Sequence, residues 1–212
     1  MGKVKPGTLG VFSGAVGDVI YATWKGIPYV RARPASVADP RTEAQLNQRA
    51  KFALAMRFLK PCTDFIRTGY QKYAIKKTAF NAAQSYILSN AITGSYPDYR
   101  IDYSRVLMSR GSLAPPFNAQ VGVADGAVQI SWDDHSVSGL ADPTDNAMAI
   151  VINPEKGETV YKKAGASRIH GMETLDIPMY WAGNQVEVYL GFISDDGKDV
   201  SDSVYVGSVM IP

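Results

Sequence analysis

The sequence has little of the residue types that build covalent crosslinks and most catalytic centres. Its 212 residues include one cysteine, Cys62, and two histidines, His135 and His170. A single cysteine excludes an internal disulfide, and it leaves no set of Cys and His residues with the spacing of a zinc site. We therefore expect neither a disulfide-stapled module nor a metal or other cofactor.

Long apolar runs are also missing. No stretch approaches the roughly 18 apolar residues of a membrane-spanning helix, and the basic residues 1–7 are not followed by the apolar segment of a signal peptide. We expect no membrane partner and synthesis in the cytoplasm without a signal peptide. Apolar residues make up 46% of the chain and charged residues 20%, which is typical of a globular protein with a real core.

The familiar catalytic and phosphate-binding motifs do not occur. There is no G-x-S-x-G nucleophile elbow, and Gly10, Gly14 and Gly17 fit turns better than a phosphate-binding loop. The Asp133-Asp134-His135 cluster follows a predicted strand and is interpreted as a polar loop. A hydrolase that uses His135 or His170 stays open as a third hypothesis, but the sequence favours a protein without enzymatic activity.

Charge divides the chain into two unlike parts. Residues 1–113 hold 17 Lys and Arg against 6 Asp and Glu, whereas residues 114–212 hold 5 against 14. Net charges of +11 and −9 indicate two surfaces with different partners. They also permit head-to-tail stacking of one copy on the next, although two solvated faces of different sign are an equal alternative.

The basic part carries a candidate docking surface in which Lys and Arg are interleaved with tyrosines. Its residues are Arg31, Arg33, Arg41, Arg49, Arg57, Lys76 and Lys77. We interpret it as a surface for an acidic protein partner, such as the acidic half of a neighbouring copy. Nucleic acid is the less favoured partner, because no nucleic-acid-binding motif accompanies the charge.

Residues 1–113 are predicted to form an α+β module, a short sheet with two or three helices. Strands fall within residues 7–33, with a turn at Lys25-Gly26. A capping box at Thr42-Glu43-Ala44-Gln45 starts the first helix, and further helices are expected at 62–69 and 78–93. Residues 99–108 are predicted to be a strand that completes the sheet begun by residues 8–31.

Residues 114–212 are predicted to form an immunoglobulin- or fibronectin-III-like β-sandwich, joined to the first module near Pro115-Pro116. The expected strands are 117–123, 127–133, 146–153, 159–164, 172–177, 184–194 and 201–209. Two acidic turns leave a calcium site open: Asp142 with Asp145, and Asp195-Asp196-Gly197-Lys198-Asp199. A hairpin turn is the simpler interpretation of the second.

The N-terminal half resembles a family of uncharacterised proteins from Bacteroidota and their bacteriophages. The matching segments are Gly10-Val11-Phe12-Ser13-Gly14-Ala15-Val16-Gly17, Trp24-Lys25-Gly26, Asp39-Pro40-Arg41-Thr42-Glu43-Ala44-Gln45, Asn81-Ala82-Ala83, Ala91-Ile92-Thr93-Gly94 and Ile101-Asp102-Tyr103-Ser104. The resemblance covers roughly residues 7–113 and assigns no catalytic residue. A shorter Pro-Arg-Thr-x-Ala-Gln pattern is similar to one in phage structural proteins and implies a particle component.

These observations favour a non-enzymatic structural or assembly protein, with a bacteriophage or prophage virion as its setting (capsid-associated, neck or tail). Its expected partners are other virion or assembly proteins and further copies of itself. A protein- or glycan-binding module of a Bacteroidota cell is the alternative. A cytoplasmic sandwich without a disulfide suits particle assembly, because virion proteins assemble without export.

Overall fold

The computed structural model describes residues 2–3, 13–24, 27–36, 39, 41–136 and 140–212. The chain divides into two compact units, Met1–Thr42 and Glu43–Pro212. The protein is a mixed α/β chain with antiparallel sheets, and its C-terminal part is mostly β. Among the described helices, none is both long and apolar enough to cross a bilayer.

The first unit is a four-stranded antiparallel sheet. Its strands are β1 Gly2–Lys3, β2 Gly14–Val16, β3 Val19–Trp24 and β4 Ile27–Ala32, in the order β1-β4-β3-β2. β-Branched and aromatic residues fill β3 and β4, as the predicted strands require. The Lys25-Gly26 turn and most of the glycine-rich stretch before Ser13 lie outside the described residues.

Three helices open the second unit: α1 Glu43–Leu59, α2 Thr63–Gly69 and α3 Ala79–Asn90. α1 begins directly after Thr42, where the capping box predicted its start. Thr78 caps α3, because its hydroxyl accepts a hydrogen bond from the Asn81 amide at 3.1 Å. Four 3₁₀ turns also occur in this unit: Gln71–Tyr73, Tyr103–Arg105, Arg168–His170 and Met179–Trp181.

Nine strands follow the helices. They are β5 Ile92–Thr93, β6 Arg100–Ile101, β7 Phe117–Ala124, β8 Ala127–Asp133, β9 Asn146–Asn153, β10 Glu158–Lys162, β11 Met172–Asp176, β12 Gln185–Ile193 and β13 Val204–Met210. β11-β8-β7 form one antiparallel sheet and β10-β9-β12-β13 another, while β5 pairs only with β6. The seven strands from β7 onwards follow the predicted spans closely.

The β10-β9-β12-β13 sheet of the second unit is covered on both faces. For this reason β9 and β12 are buried along almost their whole length. Alternate residues face the three-stranded sheet and form one core: Ala147, Ala149, Val151, Val186, Val188, Leu190 and Phe192. The residues between them form a second core with the three helices: Met148, Ile150, Ile152, Tyr189 and Ile193. The strict alternation assigns each side chain of a strand to one of the two cores.

This second core corrects the expected domain boundary near Pro115-Pro116. Leu59, Phe65 and Ile87 of the helices pack with Ile150 and Tyr189 of the sheet. The helices of the predicted basic module and the strands of the predicted sandwich therefore belong to one compact unit, and the described division of the chain lies after Thr42. The sequence suggested a linker because turn residues and the charge change coincide there, but neither feature reports burial.

Residues 106–113 lie between the helices and the sheet, and Val106, Met108 and Ser109 are buried there. On one side the Arg110 amide donates to the Gly69 carbonyl of α2 at 2.9 Å. On the other, the Met108 amide donates to Ser203 Oγ at 2.7 Å, and Ser109 Oγ donates to the Ser201 carbonyl at 2.9 Å. We call residues 106–113 the seam, because their hydrogen bonds join the helices to the sheet.

The strand expected at residues 99–108 is only partly present. Arg100–Ile101 pairs with Ile92–Thr93, and Tyr103–Arg105 is a 3₁₀ turn capped by the Asp102 side chain. This segment does not complete the N-terminal sheet, because its pairing partner directly follows α3. Loose alternation of apolar residues cannot distinguish a long strand from a short hairpin followed by a turn.

Substitution of Gly111 tests the seam. An added Cβ at Gly111 would overlap the carbonyl oxygen of Val200, a backbone atom that cannot move without disturbing the sheet. We expect Gly111→Ala to lower the free energy of unfolding by at least about 2 kcal/mol. Gly122→Ala is the matched control, because its Cβ would enter open space, and it should cost nothing. Urea unfolding of both variants measures this, and equal stabilities would contradict a packed seam.

The shared core predicts that the β-rich part does not fold alone. A fragment of residues 114–212 would expose Met148, Ile150 and Tyr189, which the helices now cover. We expect it to aggregate or to lack a cooperative thermal transition, whereas a fragment of residues 43–212 should unfold cooperatively. Circular dichroism during heating compares the two, and a sharp, reversible transition in the shorter fragment would show that the sheets are autonomous.

Candidate docking surface

Three residues of the predicted basic surface belong to the first unit. Arg31 lies on β4, while Arg33 and Arg41 follow that strand in the direction of the second unit. All three are exposed. Arg41 lies 3.6 Å from Asp39, measured from Nε to Oδ2, in a pair open to solvent. Such exposed pairs contribute little to stability, so these charges are accessible to a partner.

The other four predicted residues lie in the second unit and are not gathered at one point. Arg49 and Arg57 lie on α1, and Arg57 borders a cavity of about 260 Å³ that is otherwise lined mainly by apolar residues such as Phe58 and Ile152. Lys76 and Lys77 lie in the loop before α3, and Lys77 borders a different, polar cavity. All four are exposed, and within the second unit Arg57 and Lys77 border different cavities.

The polar cavity beside Lys77 has a volume of about 200 Å³ and is built around Arg110. The guanidinium carbon of Arg110 lies 4.6 Å from the centre of the Tyr73 ring and 5.6 Å from that of Tyr86. Aromatic faces at this range attract and orient a cation. We call this cavity the Arg110 pocket. No motif in the sequence indicates this cavity, because its lining residues are spread from Tyr70 to Arg110.

Several elements position the Arg110 pocket. Tyr86 lies on the same face of α3 as Ala82 and Ser89, three or four residues away. The backbone of Arg110 is fixed by its bond to Gly69. The hydroxyl of Tyr70 donates to the Leu107 carbonyl at 3.0 Å, and burial raises the pKa of this phenol far above its usual range, so Tyr70 keeps its proton. These contacts therefore fix Tyr70 and the backbone of Arg110 in the lining of the pocket.

Some of the basic residues and acidic residues of the two halves of the sequence form ion pairs with each other within the chain. Lys72, at the end of the helical region, pairs with Asp199 of the turn between β12 and β13. The Gln71 side chain also donates to the Gly197 carbonyl of that turn at 2.9 Å. Lys163 pairs with Asp64 of α2 at 2.8 Å. Internal pairing therefore accounts for some of the charge asymmetry that suggested external partners.

The two acidic turns considered for calcium are bonded to groups of the same chain. Asp196 accepts from Lys198 Nζ at 2.6 Å and from Ser194 Oγ at 2.7 Å, and these contacts lower its pKa well below the usual range. Asp145 is buried with Arg168 at 3.1 Å. No group of three or more potential metal ligands occurs in the described part of the chain. These carboxylates stabilise turns.

Arg168 has an extended set of buried contacts. Its Nη2 donates to the Ala114 carbonyl at 3.0 Å as well as to Asp145, and its guanidinium lies over the Phe192 ring at 3.7 Å. Its own carbonyl accepts the indole N–H of Trp132 at 2.8 Å. A buried charge needs such compensation. Arg168 therefore holds the loop before β11 against the β10-β9-β12-β13 sheet.

Neither histidine lies in a cluster of catalytic groups. The His135 ring stacks on Phe117 at 5.1 Å. His170 Nδ1 lies 2.6 Å from Ser167 Oγ, but Ser167 directly precedes the 3₁₀ turn Arg168–His170, where residues three apart are neighbours by geometry. Among the described residues no carboxylate forms an ion pair with His170 to complete a triad. The contact is explained by the turn itself.

A groove between α1 and α3 exposes apolar side chains. Phe52 is 48% exposed and Met56 39% exposed on α1, although the spacing of both from Leu59 predicts that the three share one apolar face of the helix. Only Leu59 and Ala55 of that helix are fully buried. Gln84 borders the groove and is itself buried, with no partner for its Nε2. α1 is therefore less completely covered than its periodicity predicted.

Comparison with protein families gives one match. The model of a family described as a family of unknown function (DUF6266) covers residues 11–207. The chain belongs to this family. A search of curated proteins found no significant match.

The extent of the DUF6266 match agrees with the structure in one respect. It crosses Pro115-Pro116 without interruption and includes most of the second unit, as the shared core would require. The resemblance to an uncharacterised family covers residues 7–113, whereas the DUF6266 match extends into the β-rich part. It also includes β2 to β4 of the first unit.

The only cysteine is predicted to be unreactive in the folded protein. Cys62 is fully buried, its Sγ donates to the Phe58 carbonyl at 3.6 Å, and burial raises the pKa of its thiol to about 12. Because the thiolate is the reactive form, we expect no labelling by a disulfide reagent at pH 8. Denaturant should restore one equivalent per chain. Rapid labelling of the native protein would show that Cys62 is accessible.

Proposed function

We propose that the protein is a non-enzymatic assembly protein whose N-terminal sheet binds a neighbouring copy. The observation that carries the proposal is that no described side chain of residues 13–36 is buried. The sheet nevertheless bears large apolar residues on both faces. Val16 is 64% exposed and Ile27 47% exposed. A small sheet without a covered apolar face is not stable in water, so a partner supplies the cover.

Register supports a partner on both faces. Directly paired residues point to the same side, so Ile20 shares a face with Arg31 while Tyr21 shares the opposite face with Val30. β2 is the outermost described strand on its side of the sheet, so a further strand can be added beside it. These features favour a protein that is completed by assembly over one that works as a monomer.

Charge favours a second copy as the partner. Residues 1–42 carry six Lys and Arg against two Asp, and Arg31 and Arg33 are exposed. The β-rich part from residue 114 is acidic and keeps Asp133 and Asp134 at its surface. Opposite charges on the two surfaces steer association and select the register. Head-to-tail contact, with the sheet on the acidic part of the next copy, satisfies this complementarity.

We propose further that the β-rich part is a sandwich of the immunoglobulin type. Counted from β7, the first, second and fifth strands form one sheet and the third, fourth, sixth and seventh the other. Two aligned antiparallel sheets of seven short strands are typical of such modules. We propose a bacteriophage or prophage particle as the setting, on the basis of the sequence resemblance described above.

Sedimentation velocity tests self-association. The full chain should form concentration-dependent oligomers, whereas the fragment of residues 43–212, which keeps both cores, should stay monomeric. Arg31→Glu/Arg33→Glu should weaken association, and Lys60→Glu/Arg67→Glu, two exposed cations of the helical region, is the charge-matched control. Rising salt should also weaken it. A full chain that stays monomeric at every concentration, or a fragment that associates equally well, would overturn the proposal.

Mass spectrometry of purified particles tests the proposed setting separately. Particles from a phage or induced prophage that encodes the chain should contain it in stoichiometric amount. Its absence from the particles would reject the virion assignment, while the measured self-association would still stand or fall by its own experiment.

A further inference from the structure

The lining of the Arg110 pocket concentrates positive charge. Lys77 and Arg110 both line the cavity, and none of its nine lining residues is acidic. In the described part of the chain Arg110 forms no ion pair. Asp202 lies nearby, where its Oδ1 accepts a hydrogen bond from the Gly111 amide at 2.9 Å, but it does not line the cavity. The lining of the pocket thus holds two cations and no carboxylate.

The guanidinium of Arg110 is held in place but keeps its donors available. The guanidinium carbon lies over the rings of Tyr73 and Tyr86, and such cation–π contacts leave the N–H donors of the group for a ligand. Its backbone is fixed by the seam. An arginine that is oriented in this way loses little side-chain entropy when it binds an anion, and its paired donors match the oxygens of phosphate or carboxylate.

α3 adds polar side chains to the cavity, because Ser85, Ser89 and Asn90 all line it. Ser89 Oγ donates its single O–H to the Ser85 carbonyl at 3.0 Å, and Asn90 Nδ2 donates one of its two N–H groups to the Tyr86 carbonyl at 2.8 Å. The hydroxyl of Ser85 and the second N–H of Asn90 are therefore the donors that α3 offers. Donors therefore approach the cavity from the seam, from α3 and from the loop that carries Lys77.

We propose that the Arg110 pocket binds a phosphate group. A dianion neutralises both cations, and a tetrahedral group offers oxygens to donors from three directions, which a planar carboxylate does not. A cavity of about 200 Å³ accommodates one such group with a few attached atoms, but not a whole nucleotide. The site uses residues of the second unit only, so it is independent of the proposed self-association.

Titration of the full chain with inorganic phosphate at constant ionic strength tests the proposal. Heteronuclear NMR should show saturable shifts in the amides of residues 70–90 and 110. Arg110→Gln should weaken binding at least about tenfold, because it removes the charged, paired donors. Lys77→Gln should weaken phosphate binding less, and this substitution leaves the contacts of Arg110 with Tyr73 and Tyr86 intact. Arg67→Gln, an exposed cation on α2 outside the pocket, is the control and should bind as the wild type does.

Two readouts separate loss of binding from loss of folding. Circular dichroism should show native secondary structure for Lys77→Gln, so a weakened response in this variant reports on the pocket even if Arg110→Gln is unstable. Acetate and sulfate provide the comparison of anions: sulfate should compete with phosphate and acetate should not. No saturable response in the wild type, equal binding by Lys77→Gln, or equally strong binding of acetate would each overturn the phosphate assignment.

Discussion

The second unit depends on the burial of one irregular segment, residues 106–113. It has no repeating hydrogen-bond pattern of its own, so its polar backbone groups need partners from both neighbouring layers. Arg110 bonds to α2, while Met108, Ser109 and Leu113 bond to the region that follows β12. Gly69 and Gly111 allow this close approach, since a Cβ at Gly69 would lie 2.6 Å from the Met108 carbonyl oxygen. Without the seam, the helices and the β10-β9-β12-β13 sheet would lose the hydrogen bonds that join them.

The same segment connects stability to the candidate binding site. Because the seam fixes the backbone of Arg110, the guanidinium arrives between Tyr73 and Tyr86 in one orientation. A cation on a flexible segment would have to be ordered by each ligand at an entropic cost. The first unit contrasts with the seam. Its sheet has regular hydrogen bonds but no buried side chain among the described residues.

Prediction from the sequence succeeded where the signal was local. The strands from β7 onwards were placed within a few residues, since alternation and turn residues such as Asp125-Gly126 act over short distances. The capping box at Thr42 located the start of α1, and helical periodicity located α3, for the same reason. The cations of the predicted docking surface divide between two units, and within the second unit Arg57 and Lys77 border different cavities, which no local signal indicates. The failures, at residues 99–108 and at Pro115-Pro116, concern contacts between residues far apart in the chain.

The sequence by itself determined the secondary structure, the strong charge asymmetry and the lack of a disulfide, because each follows from residue type and short-range order. Only the tertiary structure decided that the helices and the sheets share a core, that both faces of β9 and β12 are covered, and that Arg110 and Lys77 line one cavity. Burial is a property of packing between distant segments. A pattern of apolar residues shows that a face will be covered, but it does not show what covers it.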